Sequence, residues 1–101
     1  MVRERLRVAI IGVGDMGTGH AMGFDQIPSC SITWIADPDP RNIERALKYV
    51  RGNQPTIASD YREVLAQPDT FDAVVISVPN YMHHEVAVAF IALKKHIFLE
   101  K

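Results

Sequence analysis

The sequence predicts a doubly wound α/β domain, a parallel sheet covered by helices on both faces, with strand order 3-2-1-4-5. Three observations predict it. Short apolar, β-branched runs alternate with helix-length stretches four times along the 101 residues. The runs are apolar at nearly every position instead of at every second one, as central parallel strands buried on both faces must be. The first run, Val8-Ala-Ile-Ile, breaks into glycines spaced G-x-G-x-x-G at Gly12, Gly14 and Gly17. A chain of this length builds one small domain with a core and not two.

Taken in order, residues 7–11 form the first strand and residues 16–26 the first helix, which gives out before Pro28. Gly17, Ala21 and Phe24 share one face of that helix. His20, alone on it, takes no role. Residues 31–36 form the second strand and deliver Asp37 at its carboxyl end. Asp39 then caps a helix over 41–51 with Pro40 at its first position, burying Ile43, Ala46, Leu47 and Val50 and ending at Gly52-Asn53. Residues 55–58 form a short strand. Asp60 opens a short helix with Glu63 completing a capping box, and Val64 and Leu65 turn inward. Residues 72–77 are the fourth strand. A polar stretch over 78–85 leads to a helix over 86–93, apolar nearly all round and so expected to need a second cover. Residues 96–99 are the fifth strand.

The glycine spacing has a chemical meaning when a strand precedes it and a helix follows. Gly12 supplies a tight turn, Gly14 lets a pyrophosphate approach the backbone, and Gly17 lets the helix pack on the strand. The first N–H groups of the helix, at Asp15 and Met16, then face an anion with the positive end of the helix dipole behind them. Asp37, about twenty positions on, is placed to accept hydrogen bonds from both hydroxyls of an adenosine ribose and to repel a 2′-phosphate. Asp39 is occupied by its cap, and Asp37, too early in the chain for that cap, is left free for the ribose. NAD is therefore expected over NADP.

Composition narrows the other possibilities. With 11 Lys and Arg against 12 Asp and Glu, the net charge of −1 gives no electrostatic reason for a nucleic acid or an anionic membrane as partner. A small neutral-to-anionic ligand fits better. The single cysteine, Cys30, makes neither an intramolecular disulfide framework nor a thiolate metal cluster, which suits a cytoplasmic location, and it reads as a buried spectator thiol. The amino-terminal apolar run is cut by Gly12 and Gly14 and lacks the length and cleavage site of a signal peptide. No stretch reaches the roughly 18 apolar residues of a membrane helix. Adjacent His83 and His84 point about 100° apart on a helix, whereas helical metal pairs converge at i, i+4, so no metal site is expected. Neither a G-x-x-x-x-G-K-[ST] nor a G-x-S-x-G sequence is present.

Four motifs in order, Gly12-Val-Gly14-Asp-Met-Gly17, Ala36-Asp37-Pro38-Asp39, Val78-Pro79-Asn80-x-x-His83 and the terminal Lys95-His96-Ile-Phe-Leu-Glu100-Lys101, resemble the Gfo/Idh/MocA family of nicotinamide-dependent sugar and cyclitol oxidoreductases. The resemblance implies a Rossmann domain over the whole chain, residues 1–101, cut one residue before the proline of the family's Glu-Lys-Pro. The family's second, substrate-binding domain lies outside it. It implies that Ser77, Val78, Pro79 and Asn80 line the nicotinamide half of the cofactor, with His83 beside them. It places Glu100 near the nicotinamide ribose and makes Lys101 the catalytic residue, favouring the alkoxide that develops as hydride leaves the same carbon. The implied substrate is a sugar, polyol or cyclitol, and the full-length form is expected to be a homo-oligomer. This chain by itself is expected to be inactive. A reading of another class is a non-catalytic dinucleotide-binding or redox-sensing module. Two positions depart from the family pattern: Lys94 stands where a glycine is usual and should take a left-handed conformation or shift the helix end, and Val78 replaces a common threonine.

Overall fold

The computed structural model describes residues 5–99, so Glu100 and Lys101 lie outside the described residues. Its sheet contains β1 (Leu6–Ile11), β2 (Cys30–Ala36), β3 (Thr56–Ala58), β4 (Ala73–Ile76) and β5 (His96–Leu99), all parallel, in the order β3-β2-β1-β4-β5. The expected order is the observed one. Side chains alternate across the sheet and build two cores. Val8, Ile10, Ile32 and Val75 face α1 (Asp15–Asp25) and α2 (Pro40–Leu47), where Ala21, Ile43 and Ala46 meet them. Ala9, Ile11, Trp34 and Ile76 face α3 (Tyr61–Leu65) and α4 (Asn80–Ile91), packed on Val64, Val86 and Phe90. Both faces of the central strands are buried, which is why their sequence is apolar without alternation.

Local chemistry sets the element ends. Asp39 Oδ1 accepts the Arg41 N–H at 2.9 Å, capping α2 with Pro40 in its first turn. Asp60 and Glu63 form the reciprocal capping box of α3. Lys94 ends the turn after α4 with φ +58°, the left-handed one of the two outcomes expected for it, at a cost of about 1 kcal/mol relative to glycine. Cys30 is buried as a free thiol.

Three elements differ from expectation. α2 stops at Leu47, which is 40% exposed, and a turn brings Val50 into the core in its place. Gly52 and Asn53 serve another purpose than ending that helix, donating to Asp25 Oδ1 at 3.1 and 2.6 Å and tying the end of α1 to the approach to β3. α4 begins at Asn80 and not at residue 86, because Pro79 sits in an extended conformation as its cap and the polar residues after it wind into the first turns. Its Val86, Ala87 and Phe90 are buried while Val88 and Ile91 are exposed, so one flank only packs on the sheet. A single 3-10 turn over Pro68–Thr70, unforeseen from the sequence, lets Thr70 Oγ1 accept the Trp34 indole N–H at 2.7 Å.

Arg7 and Asp72 clamp the amino ends of β1 and β4. Arg7 Nη2 and Nε donate to the carboxylate at 2.9 and 3.1 Å, and the Arg7 backbone N–H donates at 2.9 Å. These bonds hold the Asp72 carboxyl down to about 2 from its ordinary 3.8. A carboxylate whose folded pKa is depressed contributes stability that is present above its unfolded value and lost as pH falls through the folded one. The two side chains are 41% and 35% exposed, so solvent screening keeps the contribution modest. Asp72→Asn is expected to flatten the acid limb of stability between about pH 4 and pH 2. Chemical denaturation followed by circular dichroism across that range measures it, and an unchanged limb removes the clamp from the acid response.

Candidate functional site

At the carboxyl edge of the sheet, where β1, β2 and β4 feed their loops, a cleft of about 600 Å³ opens. That is the size range of small-molecule and cofactor pockets, and the location is where open parallel sheets bind ligands. Gly12, Gly14, Asp15 and Met16 come to it from the β1–α1 turn, Asp37 from the end of β2, and Ser77, Val78 and Pro79 from the end of β4.

The three glycines answer to three different geometries. Gly12 has φ +91°, and a Cβ on it would stand 2.7 Å from the Ser77 carbonyl oxygen. A Cβ on Gly17 would stand 1.8 Å from the Gly12 carbonyl oxygen, so α1 can approach the turn only without one. At Gly14 a Cβ would meet no atom of the described residues within 4 Å. The absent side chain there therefore leaves open space in the cleft at the amino end of α1, where the first helical N–H groups lack intrahelical partners. Gly17 itself is buried behind the cleft.

Asp37 corrects one expectation. It is not free: the residue is 8% exposed, and its carboxylate accepts from the Val13 N–H at 2.9 Å, the Asp39 N–H at 2.8 Å and, at longer range, Asn42 Nδ2. A buried carboxylate must be partnered. Two carboxylate oxygens offer about four acceptor directions; the short bonds from Val13 and Asp39 take one on each oxygen and fix its orientation, so a further donor from the cleft competes only with the long Asn42 contacts of 3.4 and 3.5 Å. Ser77 supplies the complementary signal, since its Oγ is buried with no hydrogen-bond partner among the described residues although the residue lines the cleft.

Other sequence-assigned residues are not brought together. Asn80 and His83, on the first turns of α4, do not line the cleft, and Glu100 and Lys101 lie outside the described residues. Ser59, Asp60, Tyr61 and Arg62, from the junction of β3 and α3, and Tyr81, Met82 and Glu85, from α4, line it without having been assigned to a site from the sequence. Tyr61 Oη donates to Glu85 Oε2 at 2.6 Å, which pushes the phenol pKa up, and Arg62 bridges Asp60 and Glu85 at 3.0 and 3.6 Å. A signal for the β3 residues existed: they follow a strand of the same sheet, so their loop opens on the same edge. Among the described residues no cluster of His, Cys, Asp or Glu could hold a metal ion, and no helix is long and apolar enough to cross a membrane.

Residues 6–101 match the model of an oxidoreductase family with an NAD-binding Rossmann fold. The chain belongs to the Gfo/Idh/MocA family. It is the family's NAD-binding domain. Among relatives, a glycosyl hydrolase family 109 protein of Shewanella amazonensis is 38% identical over 102 residues, covering 94% of this chain and 22% of that protein. The crystal structure of GenD2 from gentamicin A biosynthesis in complex with NAD superposes with a TM-score of 0.85 at 30% identity, covering 98% of this chain and 27% of that one. Levoglucosan dehydrogenase in complex with NADH superposes at 0.82 with 29% identity, covering 97% and 28%. The Gfo/Idh/MocA chain described here thus spans about a quarter of the length of the proteins it matches.

Proposed function

We propose that this domain holds NAD(H) for an oxidoreductase acting on a sugar, polyol or cyclitol-like substrate. One observation carries the reading: the amino end of α1, stripped of side-chain bulk at Gly14, and the oriented carboxylate of Asp37 converge on one cleft of cofactor size. The residues fit the cofactor. Gly14 and the N–H groups of Asp15 and Met16 receive the pyrophosphate, Asp37 accepts from the adenosine ribose, and Ser77 Oγ gains the partner it lacks. Val78 and Pro79 wall the nicotinamide half.

Bound there, the cofactor supplies a hydride acceptor and donor. The chain's own residues bind and orient it against the wall formed by the ends of β1 and β4. By family resemblance Glu100 takes the nicotinamide ribose, and Lys101 donates a hydrogen bond to the substrate hydroxyl oxygen and helps pass its proton. A further domain of the parent protein closes the opposite side, since substrate must be held within hydrogen-bond reach of an acid or base and a single wall cannot do so. The sugar assignment is supported by levoglucosan dehydrogenase among the structural neighbours. The relatives named glycosyl hydrolase family 109 favour a second reading, glycoside cleavage without net change in cofactor, a mode known among NAD-dependent glycosidases. With the parent protein, NADH accumulating on polyols supports oxidation, while aglycone released from aryl glycosides with no net NADH supports cleavage.

Cofactor choice is the direct test of the cleft. The chain is expected to bind NADH at least about tenfold more tightly than NADPH, because the 2′-phosphate meets the Asp37 carboxylate. Fluorescence titration with both cofactors measures the ratio. Equal affinities would take Asp37 away from the ribose.

A further inference from the structure

Asp37 and Asp39 are joined at the mouth of the cleft. Asp37 Oδ1 accepts the Asp39 N–H at 2.8 Å, so a ribose hydroxyl held by Asp37 lies beside the first turn of α2. That turn carries a cation. Arg41 reaches back to the Asp39 carboxylate, donating from Nε at 3.2 Å and from Nη2 at 3.0 Å, while its side chain is 87% exposed. One turn on, Arg45 pairs through Nη1 alone with Asp15 at 3.0 Å. Asp39 and Asp15 both line the cleft, so each arginine of this helix face is neutralised by an acid at the cleft's own edge.

We propose that Asp39 keeps the cleft selective for the unphosphorylated cofactor by latching Arg41, and that releasing this guanidinium opens a site for a 2′-phosphate at the amino end of α2. The proposal rests on the assignment of the cleft to NAD(H). With the latch closed, the charges nearest the ribose are Asp37 and Asp39 against Arg41, an excess of one negative charge facing an incoming dianion. An incoming phosphate must break a forked, charge-assisted pair before it gains one of its own. The Arg41 hydrogen bonds hold the Asp39 carboxyl below its ordinary value, so the latch is charged at neutral pH. A pair this exposed contributes little to folding. Its consequence is for selectivity. Asp39 is therefore a positioning residue that acts through Arg41.

The test separates the latch from the cap, because Asp39 serves both. Asn and Ser are competent N-caps without the charge, so Asp39→Asn and Asp39→Ser keep α2 while freeing Arg41. Fluorescence titrations of the wild-type chain and both variants with NADH and NADPH give the affinity ratio. Either variant is expected to shift that ratio toward NADPH by about tenfold, the worth of one charge-assisted hydrogen bond. Adding Arg41→Ala to the Asn variant is expected to cancel the shift, and raising the salt concentration to shrink it. A ratio unchanged in both variants, or a shift that survives Arg41→Ala, overturns the latch. Failure of the wild-type chain to bind NADH at all is a different outcome, and it overturns the assignment of the cleft itself.

Discussion

Alanine at Gly17 is expected to lower the melting temperature of the domain by on the order of 15 °C or to prevent folding altogether. The added carbon would stand 1.8 Å from the Gly12 carbonyl oxygen and 2.8 Å from its carbon. Both are backbone atoms of a turn that is itself fixed. Gly12 holds φ +91° and donates its N–H to the Ala36 carbonyl at 2.8 Å, so it cannot recede without breaking the junction of β1 and β2. Relief must come from lifting α1 off the sheet, which uncovers Val13 and Ala21, both 0% exposed. Overpacking of this kind costs at least about 3 kcal/mol where backbone has to move. Each kcal/mol is worth about 4–8 °C in a domain near this size. Thermal unfolding by circular dichroism reads the result, and a melting point within a few degrees of the wild type would mean that the close approach of turn and helix is misplaced.

How much of this was legible in the sequence depended on whether the deciding interaction is local. The β1–α1 turn announces itself because three glycines at fixed spacing mark it, and the closest contact among them, Gly17 on Gly12, lies within the turn itself. Asp39 and Asp60 declare their caps because a cap needs no residue outside its own helix end. At Lys94 the resemblance to a family with a glycine there narrowed the choice to a left-handed residue or a shifted helix end, and the structure takes the first. The early start of α4 was not legible, because residues 80–85 are largely polar, with Tyr81 and Met82 too few to set a helical period, and an extended Pro79 decides their fate. Asp37 shows the same limit at the site. Its position at the end of β2 is a matter of pattern, but the bond from Val13, 24 residues before it, exists only once β1 and β2 lie side by side. The Tyr61–Glu85 bond likewise joins α3 to α4 across the cleft, and no spacing rule brings those two residues together.

The neighbouring glycine carries the opposite expectation to Gly17, and the contrast isolates the cradle from the fold. Gly14→Val is expected to abolish dinucleotide binding while leaving the domain folded. Gly14 has φ −68°, which valine tolerates, and a Cβ there meets no atom of the described residues within 4 Å. Its position as N-cap of α1 makes valine a poorer cap than glycine, a cost of about 1 kcal/mol and a melting point lower by several degrees. The two added methyl groups project into the cleft at the helix amino end, where a pyrophosphate must reach the N–H groups to be held at all. A cradle built on backbone donors has no side chain that can move aside, so the loss should be at least about a hundredfold in affinity for NADH and the same for NADPH. Paired measurements on one preparation decide it, with fluorescence titration for binding and circular dichroism for the fold. A valine variant that melts near the wild type and still binds NADH normally would show that the phosphates lie elsewhere, and that the open space at Gly14 serves no ligand.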